Sequence, residues 1–184
     1  TQVIPSKLNG FLTKNARPIE VLLIKETTNE NHWEALIKGL SKLSPGTEVE
    51  FGSGELKAIL TSRQGDKAIL KLMYKGKLDS ILSRVGRMPL PPYIRRKINE
   101  DKNLSDQDRE RYQTVFARYP GAIAAPTAGL HFTPQIIESF KNNGIDTVYL
   151  TLHVGIGTFQ PIRTENITEH KMQAEQFCIP EDTS

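Results

Sequence analysis

The sequence predicts an α/β plus β chain in two parts: a small antiparallel β-barrel over residues 1–80 and part of an α/β domain over residues 81–184. Short β-rich segments separated by turn residues fill the first part. The second part holds a strand, a helix and a strand in succession, which is the order of a parallel βαβ unit. Hydrophobic and charged fractions of 38% and 24% are typical of a globular protein.

Five candidate strands predict the barrel. Turn residues such as Ser44-Pro-Gly46 and Gln64-Gly-Asp66 separate them. Short strands at this spacing are typical of a small antiparallel barrel or a sandwich. The candidate strands cover residues 19–25, 32–38, 47–51, 56–62 and 67–74.

A linking region follows the barrel. Residues 78–84 have the pattern of one or two helical turns, and the next stretch is Gly86-Arg-Met-Pro-Leu-Pro-Pro-Tyr-Ile94. Three prolines in four positions exclude a helix and a central strand, so a rigid, extended loop is predicted. It either presents the cation of Arg87 and the ring of Tyr93 to a nucleotide or serves as a stiff connection between domains.

A helix is predicted over residues 105–119, before the βαβ unit. Ser105 is placed to cap it, and acidic residues fill its first turn. A stripe of apolar residues at helical spacing is interpreted as core, and it consists of Tyr112, Val115, Phe116 and Tyr119.

The βαβ unit is predicted from capping residues and apolar runs. Its strands cover residues 122–125 and 148–154. Its helix starts at Thr133-Pro134, a cap followed by a proline in the first turn, and ends at Asn143-Gly144. Parallel pairing of the two strands would place the loops that follow them at the same edge of the sheet.

Charge and cysteine content limit the possible partners and compartment. Between Arg84 and Arg118 there are nine Lys/Arg and five Asp/Glu, a local net charge of +4 in a chain of +3. Such a stretch predicts a polyanionic partner, nucleic acid first, although a solvated basic helix has the same pattern. Cys178 is the only cysteine, so no intrachain disulfide can form and a reducing, cytoplasmic location is expected. No apolar run reaches the length of a membrane span.

Two loops in the α/β part combine glycine, threonine and histidine. They are Pro126-Thr-Ala-Gly-Leu-His131-Phe-Thr133 and Leu152-His-Val-Gly-Ile-Gly-Thr-Phe159. Loops at the carboxyl ends of parallel strands are where α/β proteins place their binding and catalytic groups. An enzyme site built from both loops is therefore predicted.

Four motifs in order carry a resemblance to a known family: GRMPLPPYI, PTAGLHFT, LHVGIGTFQP and HKMQAE. The chain resembles the S-adenosylmethionine:tRNA ribosyltransferase-isomerases of queuosine biosynthesis, most strongly from Gly86 to Glu175. The start, TQVIPSKL, is similar to the family's stretch before a barrel insertion. The resemblance implies an α/β barrel-like domain with a small inserted β-barrel, and further family sequence beyond both ends of the chain.

The resemblance also implies a reaction. Members of this family transfer the ribosyl part of S-adenosylmethionine to 7-aminomethyl-7-deazaguanine at the wobble position of tRNA. They rearrange it to an epoxycyclopentane ring, giving epoxyqueuosine, and release adenine and methionine. S-adenosylmethionine is then a substrate, and no further cofactor and no metal is implied. The expected partners are the modified tRNA and S-adenosylmethionine, and the expected state is a cytoplasmic monomer without membrane contact.

Such a reaction needs a base, an acid and a neutral amine, and histidine is the side chain that titrates nearest neutrality. The resemblance places His131, His153 and His170 in catalytic roles, with Glu175 as a partner for a histidine or for the acceptor ammonium. Glycines let the backbone approach a ligand, and threonines can bind ribose hydroxyls or a carboxylate. The implied substrate-binding set is Arg87, Met88, Pro89, Tyr93, Thr127, Ala128, Gly129, Leu130, Phe132, Gly155, Gly157, Thr158 and Phe159.

One position departs from the family's pattern. The last motif is commonly His-x-Met-His-x-Glu, whereas Gln173 replaces the second histidine in this chain. A glutamine can form hydrogen bonds but cannot shuttle a proton near pH 7. An acid/base role at position 173 is therefore in doubt, and His170 carries more of that prediction.

Two other functions stay open from the residues. A metal-dependent hydrolase would use His131, His153 and His170 as ligands, although their spacings of 22 and 17 match no short metal motif. A non-catalytic tRNA-binding module would use the basic stretch and the small barrel. Metal analysis of the pure protein tests the hydrolase, and adenine release separates the transferase from the binding module.

Overall fold

The computed structural model describes residues 1–96, 102–159, 164–170 and 173–183, which form two compact units. The barrel unit comprises residues 5–89. The loop unit comprises residues 1–4, 90–96 and the described residues from 102 onward. In chain order the elements are β1 Gln2–Val3, β2 Lys7–Leu12, β3 Pro18–Glu26, β4 His32–Ile37, β5 Glu48–Phe51, β6 Leu56–Gln64, β7 Lys67–Tyr74, α1 Leu78–Val85, β8 Gly86–Arg87, α2 Lys102–Arg111, β9 Pro120–Ala122, α3 Pro134–Asn142, β10 Thr151–His153 and β11 Gln176–Cys178.

Six strands of the barrel unit close into an antiparallel barrel, in the order β2–β3–β4–β7–β6–β5 and back to β2. The five predicted strands correspond to β3 through β7, so the predicted small barrel is confirmed. The strand that closes the barrel, β2, is not among the predicted ones. It pairs with β3 on one side and with β5 and the short β8 on the other.

The barrel core follows from the alternation of inward and outward side chains along each strand. On β6 the inward side chains of Leu56, Ala58 and Leu60 are buried. The predicted helical turns form α1, whose Ile81 and Leu82 belong to the same apolar core. Because α1 packs on this core, the barrel unit extends past the predicted boundary at residue 80.

A glycine in β2 gives the core the space it needs. A Cβ atom at Gly10 would overlap the carbonyl oxygen of Glu50 and the ring of Phe51 on the neighbouring β5. The Phe51 side chain is 1% exposed and is the largest fully buried side chain in the described part of the chain. The close approach of β2 and β5 therefore requires a residue without a side chain at position 10.

The loop unit is built on a parallel pairing between distant parts of the chain. β1 pairs with β9, with Val3 opposite Ala122. The Gln113 side-chain amide holds β1 in place, because it accepts a hydrogen bond from the Val3 N–H at 3.0 Å and donates one to the Val3 carbonyl oxygen at 2.8 Å. The barrel sequence lies between these two strands, which is consistent with a barrel inserted into the second part.

The predicted helix over residues 105–119 is wrong in its bounds. α2 covers Lys102–Arg111, so Ser105 lies inside the helix instead of capping it. Beyond α2 a local turn replaces the helix, since Thr114 accepts hydrogen bonds from Phe116 N–H through its hydroxyl and from Ala117 N–H through its carbonyl oxygen. Such side-chain turns compete with helix continuation. The predicted stripe is therefore not one helix face, and Val115 is exposed.

The predicted parallel βαβ unit is only partly formed. Its helix is confirmed as α3, where the Thr133 hydroxyl accepts a hydrogen bond from the Ile136 N–H and Gly144 adopts a left-handed conformation after the last turn. The second strand is shorter than predicted, because β10 begins at Thr151 and pairs antiparallel with β11. The exposed fraction of Val148 is 72%, since no described strand lies beside it.

The two predicted strands still approach each other. The N–H of Ile123 donates to the carbonyl oxygen of Val154 at 2.9 Å, without a regular ladder between β9 and β10. Within the described residues, parallel pairing is limited to β1 and β9, and the predicted α/β barrel-like architecture is not confirmed. No helix in the described stretches combines the length and apolar character required to cross a membrane.

Two phenylalanines of the barrel unit give a matched stability test. Replacing Phe51 with Ala should lower the free energy of unfolding by about 3–5 kcal/mol, because the ring fills the core next to Gly10. Replacing Phe11 with Ala should change it by less than about 0.5 kcal/mol, since that ring is 57% exposed. Denaturant unfolding of both variants measures the difference, and equal losses would contradict this assignment of the core.

Candidate active site

The first Gly/His loop forms a 3-10 turn over Thr127–His131, between β9 and α3. The Gly129 N–H closes the turn by donating to the Pro126 carbonyl oxygen at 2.8 Å. A Cβ atom at Gly129 would lie 3.0 Å from the Thr114 side chain, so this position favours glycine for packing. His131 ends the turn and is exposed, as are Thr127 and Ala128. Its imidazole is therefore open to a ligand.

The aromatic residue of this loop has a packing role. The Phe132 ring lies with its centroid 5.5 Å from Phe116 and 6.2 Å from Phe140, in edge-on geometry. Tyr149 joins the same cluster through Phe116. Phe132, predicted to contact substrate, thus also ties the loop to α3. Leu130 on the same loop is partly exposed.

The second loop forms a 3-10 turn over Ile156–Phe159, directly after β10. Val154 and Ile156 are buried and anchor the loop, whereas Thr158 is exposed. The Thr158 hydroxyl lies 3.5 Å from the Gly155 carbonyl oxygen. Gly157 and Phe159 are half-buried beside it. Buried apolar residues therefore alternate with polar or small residues that a ligand could reach.

Glu175 contacts the second loop directly. The Gly155 N–H donates a hydrogen bond to the Glu175 carboxylate oxygen Oε1 at 2.9 Å. Gln173 lies against the same loop, because a Cβ atom at Gly157 would be 4.0 Å from the Gln173 Cβ. Two of the four sequence motifs therefore meet in space. Gly155 and Gly157 of LHVGIGTFQP lie next to Glu175 and Gln173 of HKMQAE, respectively. A hydrogen bond to a charged acceptor is stronger than one between neutral groups.

His153 lies at the end of β10, against the backbone of Gly121. Gly121 has a φ of +134°, and a Cβ atom there would lie 2.8 Å from the His153 Nδ1. Only glycine adopts this backbone region readily and leaves room for the imidazole ring. Burial lowers the pKa of His153 from its ordinary value. Sequence reasoning missed Gly121, which supports a predicted catalytic residue from the preceding strand.

A cavity of about 470 Å³ joins the two loop regions. Pro126 and Phe132 of the first loop line one part of it, and Leu152 and Val154 line another. The wall is largely aromatic and aliphatic. A cavity of this size with an apolar wall can accommodate a flat heteroaromatic ring. No hydrogen bond joins the described side chains of His131 and His153.

His170 follows a 3-10 turn over Ile167–Glu169 that begins at Asn166. The Asn166 side chain accepts a hydrogen bond from the Thr168 N–H at 3.1 Å and so fixes the turn. The His170 side chain is half-buried. Lys171 and Met172, inside the HKMQAE motif, lie outside the described residues. No described contact joins His170 to Glu175.

The GRMPLPPYI segment divides between the two units. Arg87 forms β8, where it pairs with Lys7, so the predicted extended loop starts as an edge strand of the barrel. Met88 and Pro89 are buried in the barrel unit, and packing explains both. Tyr93 belongs to the loop unit and is 77% exposed, which leaves its ring free to stack on a ligand. The motif therefore supplies both structural and exposed residues.

Among the residues that the structure describes, the donor groups needed for a metal site are not clustered. In the described part of the chain, no three His, Cys, Asp or Glu side chains lie together in a way that could hold a metal ion. Among the three histidines of the alternative hydrolase, His131 is exposed and His153 packs on Gly121. The described geometry therefore gives no support to the three histidines as a ligand set.

Comparison with known proteins places the chain in a family. A model of the family described as "Queuosine biosynthesis protein" matches residues 1–184. The chain belongs to this family, and the resemblance carried by the four motifs is confirmed.

Named relatives agree with this placement. The S-adenosylmethionine:tRNA ribosyltransferase-isomerase of Halothermothrix orenii is 44% identical over 183 residues, which are 99% of this chain and 51% of that protein. The protein of the same name from Caldanaerobacter subterraneus subsp. tengcongensis is 41% identical over 185 residues, covering 100% and 52%. The chain spans about half the length of the curated relatives it matches.

A solved structure is also similar in sequence. The crystal structure of S-adenosylmethionine tRNA ribosyltransferase from Thermotoga maritima is 26% identical, with a TM-score of 0.33. The match covers 84% of this chain and 38% of that one.

The contact between Gly121 and His153 makes a testable prediction. Replacing Gly121 with Ala should displace the imidazole, and its pKa should rise towards the ordinary histidine value because burial no longer disfavours the charged form. An NMR titration of the histidine ring protons measures this change. Gly144→Ala is the matched control, since Gly144 also has a positive φ but nothing lies within 4 Å of an added Cβ. An unchanged His153 titration in Gly121→Ala would contradict the packing.

Proposed function

We propose that the full-length protein containing this chain is an S-adenosylmethionine:tRNA ribosyltransferase-isomerase. It transfers the ribosyl moiety of S-adenosylmethionine to 7-aminomethyl-7-deazaguanine at the tRNA wobble position and isomerises it, giving epoxyqueuosine-tRNA. Adenine and methionine are released. S-adenosylmethionine is consumed as a substrate, and the reaction takes place in the cytoplasm without a further cofactor.

One observation carries the proposal. Relatives that bear this enzyme's name are 41–44% identical over 99–100% of the chain, and within that span Glu175 binds the Gly155 backbone. The matched span covers the motif loops and the barrel alike. The Glu175–Gly155 contact supports the idea that the separate motifs act together as one site.

The surroundings of His153 suit a general base. The proposed reaction requires removal of a proton from the carbon next to the sulfonium, and the base that takes this proton must be neutral. Because burial lowers the pKa of His153, the neutral imidazole is favoured near pH 7. His131 is exposed at the end of its turn, and we assign it to protonation of the leaving adenine.

Glu175 has a different proposed role. Its carboxylate is exposed and is held by the Gly155 N–H, which leaves a negative charge at the second loop. A charge at this place can bind the acceptor ammonium or the sulfonium of S-adenosylmethionine. Gln173, beside Gly157, supplies hydrogen bonds without proton transfer.

The proposed roles predict distinct losses of rate. In the full-length protein, His153→Ala should lower the single-turnover rate of adenine release by about 10²–10⁴-fold, the range for loss of a general acid or base. Glu175→Gln should lower it at least about tenfold, because the charge is lost while a hydrogen bond to Gly155 can remain. Chromatography of adenine after mixing with S-adenosylmethionine and tRNA bearing 7-aminomethyl-7-deazaguanine measures both rates.

The control is Glu181→Gln, an exposed carboxylate outside the motifs, which should keep the wild-type rate. Unmodified tRNA should give no adenine with any variant. If wild-type protein binds the modified tRNA but releases no adenine, the chain belongs to a binding module and the catalytic roles are wrong. If His153→Ala keeps the full rate, another group is the base.

A further inference from the structure

The barrel unit carries most of the chain's positive charge. Residues 5–89 contain fourteen Lys/Arg and nine Asp/Glu, a net charge of +5, whereas the rest of the chain has a net charge of −2. The basic stretch found in the sequence does not account for this excess, because only Arg84 and Arg87 of that stretch lie within residues 5–89. Arg84 is also paired, with Glu55 at 2.7 Å.

The excess charge concentrates at one end of the barrel. β2, β4 and β6 all run towards this end, so the turns after them lie close together there. Lys14, Arg17 and Lys42 line one open cleft of about 590 Å³ between these turns, together with the single carboxylate of Glu48. The Arg63 guanidinium lies beside it, 3.5 Å from the Ser41 carbonyl oxygen. Lys14, Arg17, Lys42 and Arg63 are named here the cationic end.

The cations of this group lack the ion pairs found on the barrel wall. On the wall, Lys7 pairs with Glu20, and Lys67 pairs with Glu34 at 2.8 Å. At the cationic end all four side chains are exposed, and no described carboxylate lies within 4.0 Å of any of them. Like charges held close together, in excess over the carboxylates of Glu48 and Asp66 at the same end, attract a polyanion and release its counterions on binding.

An aromatic ring lies near this group. Phe11 is on β2, one residue before the strand ends, and it pairs with Pro18 at the start of β3. Its ring is 57% exposed on the outside of the barrel. Proteins that bind single-stranded or looped RNA combine exposed aromatic rings, on which bases stack, with cations that contact the phosphates.

We propose that the cationic end of the barrel binds the sugar–phosphate backbone of tRNA. This inference rests on the proposed function, because it takes the substrate of that reaction as its ligand. Three long, flexible cations in an open cleft fit phosphates in varied positions and do not read bases. The surface therefore adds affinity and orientation for tRNA, and specificity for the modified base comes from the reacting site.

The test removes three of these charges from the full-length protein. Lys14→Gln, Arg17→Gln and Lys42→Gln are combined in one variant. The control combines Lys71→Gln, Lys75→Gln and Lys77→Gln. It removes the same charge from exposed lysines on and after β7 that form no ion pair with a described residue. Fluorescence anisotropy with tRNA at several salt concentrations gives the dissociation constants. Thermal unfolding confirms that both variants are folded.

The first variant should weaken tRNA binding roughly tenfold or more at 0.1 M salt. It should also reduce the slope of log affinity against log salt by about 2–3, which is about 0.7–0.9 for each of the three lost phosphate contacts. The control should stay near wild type. Equal weakening in both variants would overturn the proposal, because only total charge would then matter. Unchanged tRNA binding together with lost binding to poly-glutamate would also overturn it, in favour of an acidic protein partner.

Adenine release separates this inference from the proposed function. With saturating modified tRNA, the first variant should keep the wild-type turnover and show a raised KM for tRNA. If the wild-type protein turns over and the first variant binds tRNA normally, the enzyme assignment stands and the cationic end is not a tRNA-binding surface. If the wild-type protein shows no turnover, the enzyme assignment is wrong. The comparison of tRNA binding between the two variants still decides whether the cationic end binds tRNA.

Discussion

The pairing of β2 on both of its sides is the constraint on which the barrel unit depends. An antiparallel sheet of β3 to β7 would leave two open edges, and β2 removes both by joining β3 to β5. This closure requires Gly10, since any side chain there would meet Glu50 and Phe51. The carbonyl oxygen of the buried Ser6, just before β2, accepts a hydrogen bond from the Leu23 N–H and so extends the contact between β2 and β3. The surface turns that carry the cationic end are held in place by this closure.

Hydrophobic alternation accounts for most of the barrel but not for its closing strand. β3 to β7 are rich in Ile, Leu and Val at alternate positions, and their bounds agree with the prediction within a few residues. β2 has the sequence Lys-Leu-Asn-Gly-Phe-Leu, in which Asn9 and Gly10 lower β-propensity. Its glycine is there for tertiary packing, which no local pattern reports. Conversely, residues 148–150 have strand propensity but no described partner, so they stay irregular and exposed.

The candidate site was partly predictable because its residues fall in short motifs. The loops around His131 and His153 follow apolar runs as predicted, and the contact of Glu175 with Gly155 joins two of the motifs. Gly121 was not predictable, because a glycine after Tyr119-Pro120 has the pattern of an ordinary turn. Its role depends on a ring more than thirty positions later. The cationic end does not show as a charge cluster in the sequence for a similar reason: its residues are far apart in sequence and meet only when the barrel closes.

The barrel sequence lies between β1 and β9 along the chain, and this order has a consequence for folding. Val3 and Ala122 are separated by 119 positions, and closing so long a loop is entropically costly. In the folded barrel, Lys7 lies opposite Arg87, so the two ends of the insertion are already together. The remaining loop is then about 40 residues, which lowers the closure cost by about 1 kcal/mol. A barrel that forms first therefore lowers the entropic cost of pairing β1 with β9. A nascent chain would gain this advantage as soon as β8 has been synthesised.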